Sequence, residues 1–329
     1  MRNTTDLVPA LIIPAGEATA ALSRDEPVQE PLVGVLVLNW NSPQDTIRCL
    51  RSIENSDYSN YQVLVVDNGS TDGSVLQIQG TFPNLTIIET KENLGYTGGN
   101  NIGIHYFLKK DIDYIFLVNN DAVISPDTLS NLLSIARIDP RNGFVGPKIL
   151  TLEEPKMLLS AGMYMNSSQD PAHRGIGEFD NGQYDRVTEV DALSGSACLV
   201  SREVIETIGM LDDNFFLYHE DIDWCFRCKS AGFKVLFVPS AKVWHPDTQN
   251  RDENSPLVTY YITRNSLLFK KKHHLGLWST IRQLTNNLKT VLSWSIKPKW
   301  KNKSIQRDAL CNAITDYILR RWGCNERFC

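Results

Sequence analysis

The stretch YIFLVNNDAVISPD, residues 114–127, decides how this chain is to be read. It is apolar from Tyr114 to Val118, stops at Asn119-Asn120-Asp121, and then restarts with helical spacing. An unbroken apolar run of this length is the signature of a strand buried on both faces, as in a parallel sheet. The polar stop has two explanations. One is a plain turn, with Ser125 as the N-cap and Pro126 as the first residue of the following helix. The other is chemical. A carboxylate at the end of a buried strand can hold Mg2+ or Mn2+, with water and diphosphate oxygens completing the coordination.

Outward from this segment the same punctuation recurs. The runs LVGVLVLNW (32–40), YQVLVVDNGSTDGS (61–74) and LTIIET (85–90) read as further buried strands. Between them lie SPQDTIRCLRSIENS (42–56), with Ile47, Leu50 and Ile53 at helical spacing, and the shorter helical candidates 73–82 and 100–110. In the first helix Ser42 and Pro43 supply an N-cap and first residue. Such alternation predicts parallel strands joined by right-handed crossovers, a doubly wound α/β sheet with helices on both faces. Ligands of such sheets bind beyond the carboxyl ends of the strands, which gathers Asn39-Trp40-Asn41, Asp67-Asn68-Gly69 and Asn119-Asn120-Asp121 into one neighbourhood.

The rest of the chain is less regular. Residues 1–31 read as a mobile tail, because Pro and Ala dominate and no period is sustained. Asp6 and two prolines argue against a signal peptide there. Residues 150–200 are rich in Gly, Asp and Ser and predict loops with short antiparallel strands. A helix over 202–209 closed by Gly209, a loop entering a helix over 215–233, and a strand over 234–245 ending on His245 follow. From about 251 the chain reads as helical and basic.

Composition narrows the classes. With 329 residues, 42 % hydrophobic and 22 % charged, the chain is neither disordered nor fibrous, and no apolar run reaches the roughly 18 residues of a membrane span. The net charge of −5 is unevenly spread: Lys270 to Arg327 holds thirteen Lys/Arg against Asp308, Asp316 and Glu326, a net +10, leaving −15 on the remainder. The basic segment with Trp278, Trp294, Trp300 and Trp322 admits a nucleic-acid reading. The acidic body opposes it, and the tryptophans serve equally as core or membrane-interface residues, so no nucleic-acid partner is expected. Seven cysteines, an odd and scattered count, favour a reduced, cytoplasmic protein. Cys225 and Cys228 share a helix face, which explains them by packing rather than zinc.

Four further features carry chemistry, each with a plain alternative. Asp67 can accept hydrogen bonds from a base or ribose, or belong to the turn capped by Ser70, Thr71 and Asp72. ENLGYTGGNNIG (92–103) is neither G-x-G-x-x-G nor a P-loop; Gly95, Gly98 and Gly99 allow close approach of phosphate or hydroxyl groups, or form a flexible loop. In YHEDIDW (218–224), Glu220, Asp221 and Asp223 either complement a helix dipole or crowd like charges beside Phe215, Phe216, Tyr218 and Trp224. The second arrangement raises a carboxyl pKa and makes a general base. His245 is a metal ligand or a structural histidine.

In their order, these segments resemble the inverting glycosyltransferases of family 2, which have a GT-A fold, and most closely the bacterial rhamnosyltransferase-like branch, with galactofuranosyltransferases nearby. The likeness runs through 33–53, VVDNGSTDGS, NLGYTGGNNIG, FLVNNDAVISPD, RGIGEFDNGQYD, LSGSACLVSR and 215–245 to YYITRNSLLF, roughly residues 33–269. The resemblance implies a GT-A domain over 32–250, with a nucleotide-sugar half at 32–150 and an acceptor half at 151–250, followed by a basic helical region at 251–329. Asp67 would contact the base. Asn93 and Gly95 would line the nucleotide pocket, with Asn39, Asn41 and Asn120 also on the nucleotide-sugar side. Asp121 matches the last acid of the D-x-D motif and would hold Mg2+ or Mn2+, and His245 matches a metal-ligand histidine. Asn119 stands where many relatives carry an acid, near ribose or metal. Asp221 matches the base, with Glu220 its neighbouring rival.

The implied reaction moves a sugar, rhamnose from a deoxythymidine-diphosphate donor being the first candidate and uridine-diphosphate sugars the next. The acceptor would be a hydroxyl of a glycan or lipid-linked glycan, docked on loops 155–190. A nucleotide-sugar-binding protein without turnover is the rival class. Over 270–329, Lys270-Lys271-Lys272 and the helically spaced Leu275, Leu277, Trp278, Ile281, Leu284 and Leu288 fit a helix lying on an anionic membrane. They fit equally a face packed on the domain or on a second copy in a homodimer. The expected location is cytoplasmic, peripheral on the inner face of the membrane.

Overall fold

The computed structural model describes residues 30–247 and 255–328. Apart from residues 30 and 31, the tail expected over 1–31 lies outside the described residues. The four apolar runs form β1 (Val33–Asn39), β2 (Tyr61–Asp67), β3 (Thr86–Glu89) and β4 (Tyr114–Asn119), parallel and in the spatial order β3-β2-β1-β4. Side chains of a strand alternate between faces. Val33, Val35 and Val37 of β1 therefore enter one core with Ile47, Leu50 and Ile53 of α1 (Pro43–Glu54). Leu36 enters the other with Ile104 and Phe107 of α3 (Gly95–Leu108). Burying each such side chain contributes roughly 1.5–3 kcal/mol, which is why a run apolar on both faces can only be an inner strand. The short α2 (Ser74–Thr81) links β2 to β3.

Beyond β4 come β5 (Val123–Ile124), α4 (Thr128–Ala136) and β6 (Asn142–Thr151). Residues 150–200 form the expected short strands: β7 (Leu158–Ser160), antiparallel to β6, an antiparallel pair β8 (Met163–Met165) and β9 (Pro171–His173), and β10 (Thr188–Glu189). Then follow β11 (Ala197–Ser201), α5 (Arg202–Ile208), α6 (Glu220–Ser230) and β12 (Lys234–His245). The main sheet runs β10-β12-β6-β11-β4-β1-β2-β3. β6 and β12 are parallel, while β11 is antiparallel to both of its neighbours. Helices α1 and α4 cover one face, and α3, α5 and α6 the other.

Three α-helices, with a 3-10 turn at Pro298–Lys303 between the last two, complete the described residues: α7 (Pro256–Lys272), α8 (Leu277–Ile296) and α9 (Ser304–Ile318). Phe269 of α7 joins the α3 side of the core, and Tyr260 and Tyr261 pack with Phe216, Ala309 and Ala313. α8 buries none of its residues.

Several local expectations are corrected. α4 starts at Thr128, with Asp127 rather than Ser125 in the N-cap position; the Ser125 hydroxyl donates to Asp127 Oδ1 (2.6 Å). Ser42 does precede α1, but its hydroxyl donates to Asp45 Oδ2 (2.6 Å) instead of accepting from the backbone. The glycine-rich segment is helical from Gly95 onward, and a Cβ on Gly103 would fall 2.2 Å from Leu36 Cδ1, so glycine lets α3 lie against β1. Cys225 and Cys228 are buried with free thiols, as packing predicts. Cys324 is disulfide-bonded, which departs from the expectation of a fully reduced chain.

Candidate active site

The register aligns the strand ends. Asn39 pairs with Asp67 and Leu38 with Asn119, and the chain reverses its winding at β1, where a crevice opens in such sheets. Asp67 is buried; its Oδ1 accepts from Asn39 Nδ2 (2.6 Å) and its Oδ2 from the Ser70 N–H (3.0 Å). Asn39 is itself wholly buried, with its Oδ1 accepting from the Thr46 hydroxyl (2.6 Å), which in turn accepts from Asn120 Nδ2 (3.0 Å). Asn39 thus fixes Asp67 and connects it through Thr46 to Asn120, rather than presenting its amide to the crevice. Asn41 is exposed, with φ 48°, and its Oδ1 accepts from the Thr71 N–H (2.8 Å). Asn93 Oδ1 accepts from Asn68 Nδ2 (2.9 Å) and from the Gly95 N–H (2.9 Å). Asn68, placed with Asp67 in the strand-end neighbourhood by the sequence, also takes the Leu94 N–H on its Oδ1 (3.0 Å) and so ties the end of β2 to the start of α3. Gly95 has φ 72°, and a Cβ there would lie 2.4 Å from the Phe216 carbonyl oxygen.

Asp121 and His245 lie far apart in sequence and meet because β5 pairs with the end of β12, Ile124 opposite Val243 and Val123 opposite Trp244. His245 Nε2 lies 3.1 Å from Asp121 Oδ1 and 3.1 Å from Asn119 Nδ2. Its Nδ1 lies 2.9 Å from the Pro246 carbonyl oxygen, a contact that requires the ring to donate from Nδ1. That tautomer leaves the Nε2 lone pair to accept from Asn119 Nδ2, with the Asp121 carboxylate alongside. Two lone pairs 3.1 Å apart repel unless a proton or a cation lies between them. Asp121 Oδ1 contacts the ring at ion-pair distance but without hydrogen-bond alignment, and it and Asn119 Oδ1 are buried with no hydrogen-bond partner. Burial pushes the His245 pKa down and the Asp121 pKa up; their mutual contact outweighs both, leaving His245 raised and Asp121 lowered. A carboxylate oxygen, an amide oxygen and an imidazole nitrogen form a donor set that Mn2+ or Mg2+ can use, with oxygens of water and diphosphate completing it. Among the described residues no group of three or more His, Cys, Asp and Glu is placed to hold a metal ion; Asp121 and His245 are two such residues, with the Asn119 amide beside them.

The three acids of α6 separate. Asp223 is buried against Arg227 Nε (2.9 Å), Lys272 Nζ (2.8 Å) and His273 Nε2 (2.8 Å), and these partners lower its pKa against the upward push of burial. It is an ion-paired anchor of the helix. Asp221 retains some exposure; its Oδ2 accepts from the Gly195 N–H (2.7 Å) and its Oδ1 from the Ile222 N–H (2.8 Å). Burial raises its pKa, and those donors offset part of the rise. Glu220 is 5 % exposed with Oε2 unpartnered, and burial together with the Asp221 charge pushes it well above the usual carboxylate range. An almost wholly apolar pocket lined by Tyr96, Leu117, Phe144, Leu193 and Trp224 abuts Asp221.

One short segment ties Asp221 to Asn119. Gly195 donates to Asp221, and the next carbonyl, Ser196 O, accepts from the Asn119 N–H (2.9 Å). The Tyr96 hydroxyl donates to Gly195 O (2.7 Å). Burial raises the Tyr96 pKa well above its ordinary value, and the charges of Cys198, Glu220, Asp221 and Asp121 add to the rise. Tyr96 and Gly195 were missed in the sequence. Tyr96 sits within the glycine-rich stretch, but nothing local marks Gly195 as a donor to a residue 26 positions on.

Sheet order, acids at the strand ends and the paired carboxyls that open α6 point to the GT-A class of nucleotide-sugar glycosyltransferases. Residues 30–259 match the model of the family described as Glycosyltransferase like family 2, and the chain belongs to that family. It is 29 % identical over 278 residues to the N-acetylglucosaminyl-diphospho-decaprenol L-rhamnosyltransferase of Mycobacterium tuberculosis, covering 74 % of this chain and 85 % of that one. It is 27 % identical to the dTDP-rhamnosyl transferase RfbF of Shigella flexneri, covering 70 % and 77 %. Among solved structures, the fold matches the mannosyltransferase of Pyrobaculum calidifontis in complex with GDP-Man and Mn2+ (TM-score 0.57, 15 % identity, 95 % of this chain and 91 % of that one). It also matches GalNAc-T7 with UDP, GalNAc and Mn2+ (TM-score 0.60, 13 % identity, 88 % and 57 %).

Proposed function

We propose that this glycosyltransferase is an inverting, metal-dependent rhamnosyltransferase that uses a deoxythymidine-diphosphate donor and a lipid-linked glycan acceptor. The observation that carries the reading is that Asp221 and the Asn119–Asp121–His245 cradle hang from the same segment, 194–196. On this reading Asp67 contacts the base, and Asn93 and Gly95 wall the nucleotide pocket. Asp121 and His245 hold Mg2+ or Mn2+, which when bound neutralises charge on the departing diphosphate. Asp221 accepts the proton of the acceptor hydroxyl as its oxygen bonds to the anomeric carbon. The bond from that carbon to the diphosphate breaks on the opposite face, through an oxocarbenium-like transition state, so configuration inverts. The names of the mycobacterial and Shigella relatives support rhamnose and a polyprenyl-linked acceptor, and the Mn2+ in the solved neighbours supports the metal.

A membrane contact accompanies this proposal. The outward stripe of α8 is Leu277, Ile281, Leu288, Leu292 and Ile296, all exposed, with Trp278 82 % exposed and Arg282 and Lys289 alongside. Its inward side carries polar Gln283, whose amide donates to the Ser266 hydroxyl. Apolar outside and cationic at the rim, the helix suits an anionic bilayer, and no described helix is long and apolar enough to cross one.

The test is a thermal-shift series with dTDP-rhamnose and other sugar nucleotides, with and without Mn2+. A donor at 100 times its Kd raises stability by about 2.7 kcal/mol. The expected result is a shift that requires Mn2+ and that Asp121→Asn abolishes together with transfer. Wild-type transfer by Asp121→Asn at limiting Mn2+ would overturn the metal assignment.

A further inference from the structure

Arg264 and Asn265, in the middle of α7, lie beyond the residues 30–259 matched by the family model, and they are 1 % and 0 % exposed. Two polar side chains this deeply buried must place their donors somewhere. Asn265 Nδ2 lies 2.8 Å from Phe215 O, 2.7 Å from Leu217 O and 2.9 Å from Tyr218 O. Arg264 Nε donates to Asn265 Oδ1 (3.0 Å), which fixes the amide with its nitrogen toward those carbonyls. The same guanidinium reaches Phe215 O (3.1 Å), Asn214 O (3.3 Å) and Gly323 O (2.6 Å), and lies over the rings of Tyr260 and Tyr261.

The backbone held in this way is strained. Phe216, Tyr218 and His219 have φ of 65°, 68° and 73°, left-handed values at non-glycine residues. Such a conformation persists at a non-glycine residue only where the surroundings impose it. His219 is the N-cap residue of α6, immediately before Glu220 and Asp221. On its other side the loop reaches the donor half, with Phe216 O accepting from the Thr97 N–H (3.1 Å) beside Gly95. Further along α7, Lys272, with His273 just beyond, grips Asp223, one turn into α6. α7 therefore braces the start of α6 from two sides.

We infer that Arg264 and Asn265 are positioning residues: they hold the left-handed turn at 214–219 so that the Asp221 carboxylate meets the Gly195 N–H and faces the acceptor. The inference rests on Asp221 as the base and adds the device that aims it. Their bonds in this turn go to the carbonyls of Asn214, Phe215, Leu217 and Tyr218 and not to Phe216, the residue that reaches Gly95 and Thr97, so their removal is expected in turnover rather than in donor affinity.

The experiment is a double-mutant cycle with a separate structural readout. Asn265→Asp keeps the shape and replaces the donating amide by an acceptor. Transfer is measured from dTDP-rhamnose to N-acetylglucosaminyl-diphospho-decaprenol. Asn265→Asp is expected to lower kcat by about 10- to 100-fold, part of the range a positioned base supplies, with the donor Kd within about twofold of wild type. In the Asp221→Asn background the same change is expected to alter residual turnover by less than about twofold. Hydrogen exchange, which needs no substrate, is expected to show faster exchange of the Gly195 amide with the β11 amides unchanged. Equal losses in both backgrounds, weakened donor binding, or an unchanged Gly195 amide would each overturn the inference. Where Asn265→Asp does not fold, Arg264→Lys, which keeps the charge and loses the fork, is read in the same cycle. Failure of Asp221→Asn to reduce kcat, or an inactive wild type, would count against the proposed function, and the exchange measurement would still decide the clamp.

Discussion

A carboxyl group removed from water without gaining a donor keeps its proton, and one that gains donors can give it up. Glu220 and Asp221 differ in this way: Glu220 Oε2 has no partner, whereas both oxygens of Asp221 accept backbone N–H groups. Asp221→Asn should therefore lower kcat by about 10²-fold or more, and Glu220→Gln by less than about tenfold, in steady-state assays of nucleotide release. On the proposed reading Asp221 acts ionised, and burial raises its pKa, so kcat/KM should rise with pH along an acid limb above the ordinary aspartate value of 3.8. An acid limb at or below that value would remove Asp221 from the role. The sequence marked all three acids of this helix but not their division of labour. Asp223 is neutralised by Lys272 and His273, 49 and 50 residues away, and no local pattern announces partners at that separation.

The elements were legible wherever burial on both faces left an unbroken apolar run, as in β1, β2 and β4. Ends were less so, because caps depend on side-chain rotamers: Ser125 and Ser42 each bond a nearby aspartate instead of the backbone. For α8 the helical spacing was readable, yet spacing gives a stripe and not the direction it faces. Here the stripe faces outward along 20 residues, about 30 Å of helix. The full-length protein should co-sediment with phosphatidylglycerol vesicles at low salt and detach at high salt, since each surface Lys or Arg contributes about 1 kcal/mol and the Debye length is about 10 Å at 0.1 M. Leu288→Glu with Leu292→Glu, on exposed positions, should abolish binding without lowering Tm. Absence from the vesicle pellet at low salt would refute the membrane contact, and a dimer lost in the double variant would assign the face to a second copy.

For the molecule as a whole, one buried acid sets a pH dependence of stability. The folded-state pKa of Glu220 is raised well above its ordinary 4.5, so between that value and the raised one the folded chain binds more protons than the unfolded chain. The stabilising contribution of the neutral carboxyl is present below 4.5 and is lost as pH rises through the raised value. Glu220→Gln should therefore gain in Tm over wild type between melts at about pH 4.5 and about pH 8; a constant difference would mean that Glu220 ionises freely. At this scale the sequence was least explicit. The alternation of segments predicts parallel strands, but not that β11 enters antiparallel between β4 and β6, since that pairing joins residues on opposite sides of the irregular 150–200 region.

The turn before α6 is restrained from residues 264 and 265, almost 50 positions downstream of the carbonyls they hold. Chains are made from the N-terminus. When β1 to β4 and the Gly95 end of α3 have been synthesised, the brace for Asp221 does not yet exist. Order of synthesis thus sets the brace apart from what it braces: a chain stopped ahead of residue 264 already carries Asp221, without the contacts that hold the turn beside it.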